Sequence, residues 1–294
     1  MTILEVIQKS SQFLAGKGVE SPRLQVELLL AAQLGIPRLK LYLNHDQKLS
    51  ETELGALRSK VVRRGAREPL QHIIGSVNFA GLEVESSRDA LVPRPETELL
   101  ASTALRHLAV PGDGGMDEPM RALDFGTGTG CLAIYLAIQN PGVEMHACDL
   151  SQAALGLASR NALRHGLADR IRFHHGDSFA ALPGELRFNL IVSNPPYIPS
   201  LEIENLEPEV KDHDPRMALD GGKDGLTFYR LLASEAATWL KAGGVIAMEF
   251  GDGQEPAVRQ ILESQNWVVE PTLADYSSKP RVVVARRESQ VRAG

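Results

Sequence analysis

Apolar positions recur at helical spacing over roughly the first 67 residues. Ile3, Val6, Ile7 and Leu14 fall on one helical face, and Leu24, Leu28 and the run through Leu30 suit a second helix. Ser50-Glu51-Thr52-Glu53 has the form of a capping box that opens a third helix, with Leu54, Leu57, Val61 and Val62 behind it. That helix ends in Arg58, Lys60, Arg63, Arg64 and Arg67. Cations are favoured near a helix C-terminus by its dipole; the same cluster would also suit an acidic partner. Residues 69–93 change character. Ile73, Ile74, Val77, Phe79, Leu82 and Val84 are strand-type residues punctuated by Gly75, Asn78 and Gly81, a pattern that predicts a short β-hairpin. Pro93 and Pro95 stiffen the entry to another helix, and residues 110–120 read as a Pro/Gly/acidic loop.

From residue 121 short apolar runs alternate with helical stretches. The runs are Ala122–Asp124, Val143–Cys148, Ile171–Phe173, Leu190–Val192, Gly244–Phe250 and Val282–Ala285, and the helices fall at about 130–139, 151–165, 223–241 and 254–264. This order predicts βαβ units and an α/β fold with a mostly parallel sheet. Strands at about 266–273 and 281–286 leave no room for a helix between them, so they are expected to pair antiparallel. Three segments follow: a helical N-terminal domain over 1–67, a β-hairpin linker over 68–93, and an α/β domain over 94–294.

Charge narrows the chemistry. Residues 1–90 carry 12 Lys+Arg against 10 Asp+Glu, whereas residues 91–294 carry 19 against 27. A duplex-DNA binder draws its phosphate contacts from Lys and Arg, so the acidic larger part counts against one. Cys131 and Cys148 are too few for a disulfide framework or a zinc site, and no metal site is expected. No apolar run approaches a membrane span, and Met1–Phe13 lacks a signal-peptide core. A cytoplasmic protein is the expectation.

Two loops carry candidate chemistry. The first predicted strand runs into Gly126-Thr127-Gly128-Thr129-Gly130 and then directly into a helix. Glycines let the backbone turn sharply and approach a ligand beside a helix N-terminus. The dinucleotide fingerprint G-x-G-x-x-G would need Gly or Ala at 131, where this chain has Cys131; the spacing is G-x-G-x-G instead. Asp149 closes the second strand, 19 residues after Gly130, where a carboxylate can accept ribose hydroxyls. The fourth strand ends in Asn194-Pro195-Pro196-Tyr197. Asn194 offers a side-chain carbonyl and Pro195 a backbone carbonyl, while both prolines lack N–H groups, so the stretch presents acceptors without competing donors. Two acceptors can grip both hydrogens of an –NH₂, and Tyr197 can pack a planar group against its ring.

The glycine loop with Asp149 resembles the class I S-adenosylmethionine-dependent methyltransferases. The resemblance implies a Rossmann-like, mostly parallel seven-stranded sheet with an antiparallel C-terminal strand, with Gly126, Gly128 and Gly130 at the methionine end of the cofactor and Asp149 on the ribose. It also places Gly176-Asp177-Ser178 at the adenine, although related sequences can carry an aromatic residue where this chain has Ser178; Phe179 is the alternative contact. Asn-Pro-Pro-Tyr is shared by methyltransferases of adenine amines and of protein glutamine. Longer blocks resemble the HemK-type protein-(glutamine-N5) methyltransferases: Glu68–Gly75, Pro93–Glu98 and Pro215–Gly222 with Lys223–Leu226. That resemblance implies transfer of a methyl group to the glutamine of the Gly-Gly-Gln motif in peptide chain release factors. A monomer with no direct nucleic-acid partner is the expectation. Arg94 and Glu98 would either shape the substrate channel or form a structural ion pair. An adenine-N6 methyltransferase and a non-catalytic protein-binding module that kept the cofactor site are the other readings.

Overall fold

The structure, a computed structural model, describes residues 1–108 and 119–287, so most of the loop expected at 110–120 lies outside the described residues. The chain divides into two compact units. One comprises Met1–Val77 with Leu206–His213; the other comprises Asn78–Asn205 with Asp214–Gly294.

The first unit is helical. The helix Ile3–Gly16 opens on a capping box formed by Thr2 and Glu5, and Glu51–Gly65 opens on the expected one formed by Ser50 and Glu53. Pro22–Leu34 completes the trio around a core of Ile3, Val6, Ile7, Leu14, Leu29, Leu30, Leu57 and Val61. Two expected core positions face outward instead: Leu24 and Val62 are exposed, and Val26 and Ala31 take the inner face. Ile73 and Ile74 are not strand residues. They lie in a short helix, Leu70–Ile74, which Gly75 ends in the left-handed conformation that suits glycine.

The basic run at the end of Glu51–Gly65 has found acidic partners inside its own chain. Arg63 grips Glu68 at 2.7–2.8 Å. Arg64, which is buried, reaches Glu209 at 2.7 Å, the side-chain oxygen of Gln25 and the Glu68 carbonyl. Arg67 bridges Glu207 and Glu209 at 2.6–2.7 Å. Glu207 and Glu209 belong to the returning segment Leu206–His213. Removing one member of a buried pair strands the other, although Arg67 still serves Glu209. Arg64→Ala is therefore expected to cost about 2 kcal/mol of stability, read as a lower urea midpoint; an unchanged midpoint would contradict the assignment.

After the helical segments, β1 (Ser76–Phe79) and β2 (Leu82–Glu85) form a two-stranded sheet. The second unit is α/β. Its main sheet contains β3 (Arg121–Phe125), β4 (Glu144–Asp149), β5 (Ile171–His175), β6 (Phe188–Ser193), β7 (Leu240–Glu249), β8 (Trp267–Val269), β9 (Leu273–Ala274) and β10 (Pro280–Arg287). The order is β5-β4-β3-β6-β7-β10-β8, with β9 paired to β10. The first five strands of that order run parallel, and β10 lies antiparallel to both β7 and β8. The mostly parallel sheet with its antiparallel C-terminal strand is as expected, seven strands forming one path and the two-residue β9 adding an eighth beside β10. The strand expected over 266–273 splits into β8 and β9, because Pro271 has no N–H to give the ladder. Buried Phe188, Ile191, Ile246, Met248 and Val283 pack with Tyr229, Leu232, Val258 and Leu262 of the helices Thr227–Trp239 and Glu255–Ser264. Strand order reverses between β3 and β6, and open α/β sheets bind ligands beyond the carboxyl ends of their strands at such a switch point.

Candidate active site

A cavity of about 350 Å³ lies at that switch point. Gly126, Thr127, Gly128 and Thr129 line it after β3, Asp149 after β4, Asp177 and Ser178 after β5, and Asn194, Pro195 and Pro196 after β6.

The glycine loop is held from behind. The N–H groups of Gly126 and Thr127 both donate to the Cys148 carbonyl (2.9 and 3.0 Å), which ties the end of β3 to the end of β4. Asp149 continues the link: one carboxylate oxygen accepts the Gly128 N–H at 2.9 Å, the other the Ser151 N–H at 2.8 Å. Below the loop sits Asp124, fully buried, which accepts from the Thr127 hydroxyl (2.6 Å) and the Ala133 N–H (3.2 Å). Burial pushes its carboxyl up to about 7, the two hydrogen bonds oppose this, and nearby Asp149 adds to it. Asp124 is a site-supporting residue that the sequence reading passed over; a carboxylate inside the apolar run Ala122–Phe125 was its signal.

The glycines divide by role. Gly126 has φ +74°, and a Cβ there would meet no protein atom, so a side chain would stand in the cavity itself. Gly130 does not line the cavity. A Cβ on it would come within 3.0 Å of Ala158, so its bareness serves the approach of the helix Gln152–Arg164. The expected place of Gly130 at the cofactor thus becomes one of helix packing.

At the other wall, the Asn194 amide nitrogen donates to the Thr97 hydroxyl at 3.0 Å, and no described residue donates to its side-chain oxygen or to the Pro195 carbonyl. The segment 215–222 braces this loop: the Gly221 N–H donates to the Ile198 carbonyl at 2.8 Å, the Ile198 N–H donates to the Leu219 carbonyl at 3.0 Å, and a Cβ on Gly221 would fall 2.8 Å from the Pro196 carbonyl. Tyr197 is not a lining residue. Its ring packs against the apolar core, and its carbonyl accepts from Gln254 at 2.9 Å. Phe179 is likewise absent from the cavity wall: buried, it lies against Phe125 and stacks on Trp239, which leaves Ser178 at the cavity. Arg94 and Glu98 do not pair with each other. Arg94 lines the cavity and grips buried Asp214 at 2.7 Å, whereas Glu98 accepts the Ala80 N–H at 3.0 Å.

The wall suits a cationic nucleoside. Four carboxylates line it (Asp89, Asp149, Asp177 and Asp220) against the single guanidinium of Arg94. The open space at Gly126 and the acceptors of Asp149 fit the S-adenosylmethionine that the sequence implies.

The chain is similar to known proteins over nearly its whole length. Residues 5–75 match the family model described as the PrmC N-terminal domain, and residues 102–207 match the methyltransferase small domain. The release factor glutamine methyltransferase of Geobacter sulfurreducens is 42% identical over 285 residues, covering 97% of this chain and 96% of that protein. The protein of the same name from Deinococcus radiodurans is 39% identical, covering 98% and 99% respectively. Among solved structures, a methyltransferase from Pyrococcus furiosus shares the fold, with a TM-score of 0.51 at 18% identity over 78% of this chain and 96% of that one.

Proposed function

Given that the chain belongs to the release factor glutamine methyltransferases, an S-adenosylmethionine-dependent family of enzymes, we propose how its residues carry that reaction. Gly126, Thr127, Gly128, Thr129 and Asp149 hold the methionine and ribose parts of the cofactor, and Asp177 and Ser178 lie along its adenine. Asn194, Pro195 and Pro196 receive the side-chain amide of the glutamine in the Gly-Gly-Gln motif of a release factor. The observation that carries this reading is the pair of unengaged acceptors, Asn194 Oδ1 and the Pro195 carbonyl, on the wall that faces the glycine loop.

Bound S-adenosylmethionine supplies an electrophilic sulfonium methyl group. The amide nitrogen is a poor nucleophile because its lone pair is delocalised into the carbonyl, so the protein must orient it. One acceptor takes each amide hydrogen, which fixes the nitrogen and stabilises the positive charge that grows there as the bond forms. The leaving proton is held at Asn194 Oδ1 or the Pro195 carbonyl until water removes it. Tyr197 contributes from behind, anchoring the loop in the core rather than stacking on substrate. Acting on a translation protein, the enzyme works in the cytoplasm. No described helix is long and apolar enough to cross a membrane.

Methyl-labelled S-adenosylmethionine offered with an unmethylated release factor, the same factor with Gln→Ala in its Gly-Gly-Gln motif, and unmethylated DNA tests the reading. Label is expected on the first alone. Label on DNA would replace it with adenine methylation, and label on none would point to a binding module.

A further inference from the structure

Behind Asn194 runs a chain of two hydrogen bonds. Asn194 Nδ2 donates to Thr97 Oγ1 at 3.0 Å, and the Thr97 hydroxyl donates to Glu249 Oε2 at 2.7 Å. Three elements meet there: Thr97 in the first turn of the helix Pro95–Leu108, Asn194 just after β6, and Glu249 at the end of β7. The β6–β7 register, which pairs Ser193 with Met248, sets Asn194 beside Glu249. Thr97 and Glu249 are both buried, and the Glu249 carbonyl is pinned by the Tyr229 hydroxyl at 2.9 Å.

A threonine hydroxyl has one hydrogen, and an ionised carboxylate can only accept. With its hydrogen committed to Glu249, Thr97 can only accept from its other neighbour. Asn194 must then turn its –NH₂ toward Thr97 and its carbonyl oxygen away. Shape alone does not enforce this, because an asparagine amide rotated by half a turn occupies nearly the same volume. We propose that Thr97 and Glu249 are positioning residues that lock Asn194 with its oxygen toward the cavity, and so make the site selective for an N–H donor such as a primary amide. This rests on the glutamine reading above, since it assigns Asn194 Oδ1 to the substrate.

The lock has a pH dependence. Burial pushes the Glu249 carboxyl up to about 7; the Thr97 hydrogen bond opposes this, Glu96 adds to it, and Arg281 and Asn194 also oppose it. Tyr197, Tyr229 and Cys131 are the other titratable groups coupled to it, and burial holds both phenols and the thiol protonated near neutrality. Once protonated, Glu249 becomes a donor to Thr97, the threonine hydrogen is released toward Asn194, and the amide can present its –NH₂ to the cavity. Activity therefore falls as pH drops through the Glu249 value and is full above it.

Full-length Thr97→Val, Thr97→Ser, Glu249→Gln and Asn194→Ala are assayed with S-adenosylmethionine and an unmethylated release factor, with cofactor affinity measured by calorimetry. Thr97→Val is expected to lower kcat about 100-fold with cofactor Kd within about twofold of wild type, and Thr97→Ser to stay within about fivefold of wild type because it keeps the hydroxyl. Glu249→Gln, which does not titrate, is expected to abolish the acid limb of the kcat profile near pH 7. The lock is overturned if Thr97→Val keeps wild-type kcat, if Thr97→Ser loses as much as Thr97→Val, if cofactor binding is what fails, or if the acid limb survives in Glu249→Gln. Should Thr97→Val not fold, Thr97→Ser and the Glu249→Gln profile still decide. An active Thr97→Val beside an inactive Asn194→Ala sinks the lock alone; an active Asn194→Ala sinks the glutamine reading beneath it.

Discussion

Asn194→Ala lowers kcat for methyl transfer to a release factor by about 10²–10³-fold, the range seen when one preorganised group that meets developing charge is removed. The change deletes Oδ1, an acceptor on the cavity wall with no donor among the described residues, and leaves the Pro195 carbonyl in place. One amide hydrogen is still gripped and the other is free, so the nitrogen rotates away from the line of attack. The loss falls on kcat more than on KM, because most of the affinity for a protein substrate comes from surfaces remote from one side chain. Cofactor affinity moves little, since the glycine loop and Asp149 are tied to β3 and β4 rather than to Asn194. Single-turnover rates with saturating cofactor check this. A rate within threefold of wild type would remove Asn194 from the chemistry.

Asp149→Asn raises the S-adenosylmethionine Kd about 100-fold, roughly 2.7 kcal/mol. Both Asp149 oxygens already accept backbone N–H groups, from Gly128 at 2.9 Å and Ser151 at 2.8 Å, while the same carboxylate borders the cavity. An asparagine must aim its –NH₂ at one of those donors, which breaks a charge-assisted hydrogen bond and loosens the glycine loop. It also removes a negative charge from a wall that faces a cationic ligand. Calorimetric titration with S-adenosylmethionine gives the affinity directly, and an unchanged Kd would mean that Asp149 only caps the backbone.

The parts of this protein legible in its sequence are those whose logic is local. Strand–helix alternation from residue 121 announces the parallel sheet, because each apolar run and each amphipathic stretch carries its own period. The glycine loop, Asp149 and Asn194 stand out because each follows a strand that ends on the same side of the sheet. Groups that act through partners distant in sequence were hidden. Thr97 sits 97 residues before Asn194 and 152 before Glu249, and nothing near it in the chain hints at either. A better signal existed for Glu249: it is the one carboxylate in the apolar run Val245–Phe250, and an acid among core residues asks for a buried partner. Arg64 and Arg67 read as helix-end cations or a patch for an acidic partner, and their partner within the chain was hidden for the same reason, since Glu209 lies more than 140 residues away. Gly130 and Tyr197 show the reverse error, where a motif drew its whole length toward the ligand. Their backbones belong to the motif, but the space beside Gly130 is filled by Ala158 and the Tyr197 ring by the core. Ile73 and Ile74 misled because β-branched residues also suit a single helical turn when Gly75 is ready to end it.

The position of the transferred methyl group decides directly whether the enzyme modifies the glutamine amide. An unmethylated release factor incubated with the wild-type enzyme and S-adenosylmethionine is digested and sequenced by tandem mass spectrometry, with an Asn194→Ala reaction alongside. One methyl group is expected on the side-chain nitrogen of the Gly-Gly-Gln glutamine, stoichiometric with wild type and nearly absent with Asn194→Ala. A methyl group on any other residue, or equal modification of that glutamine by both enzymes, would contradict it.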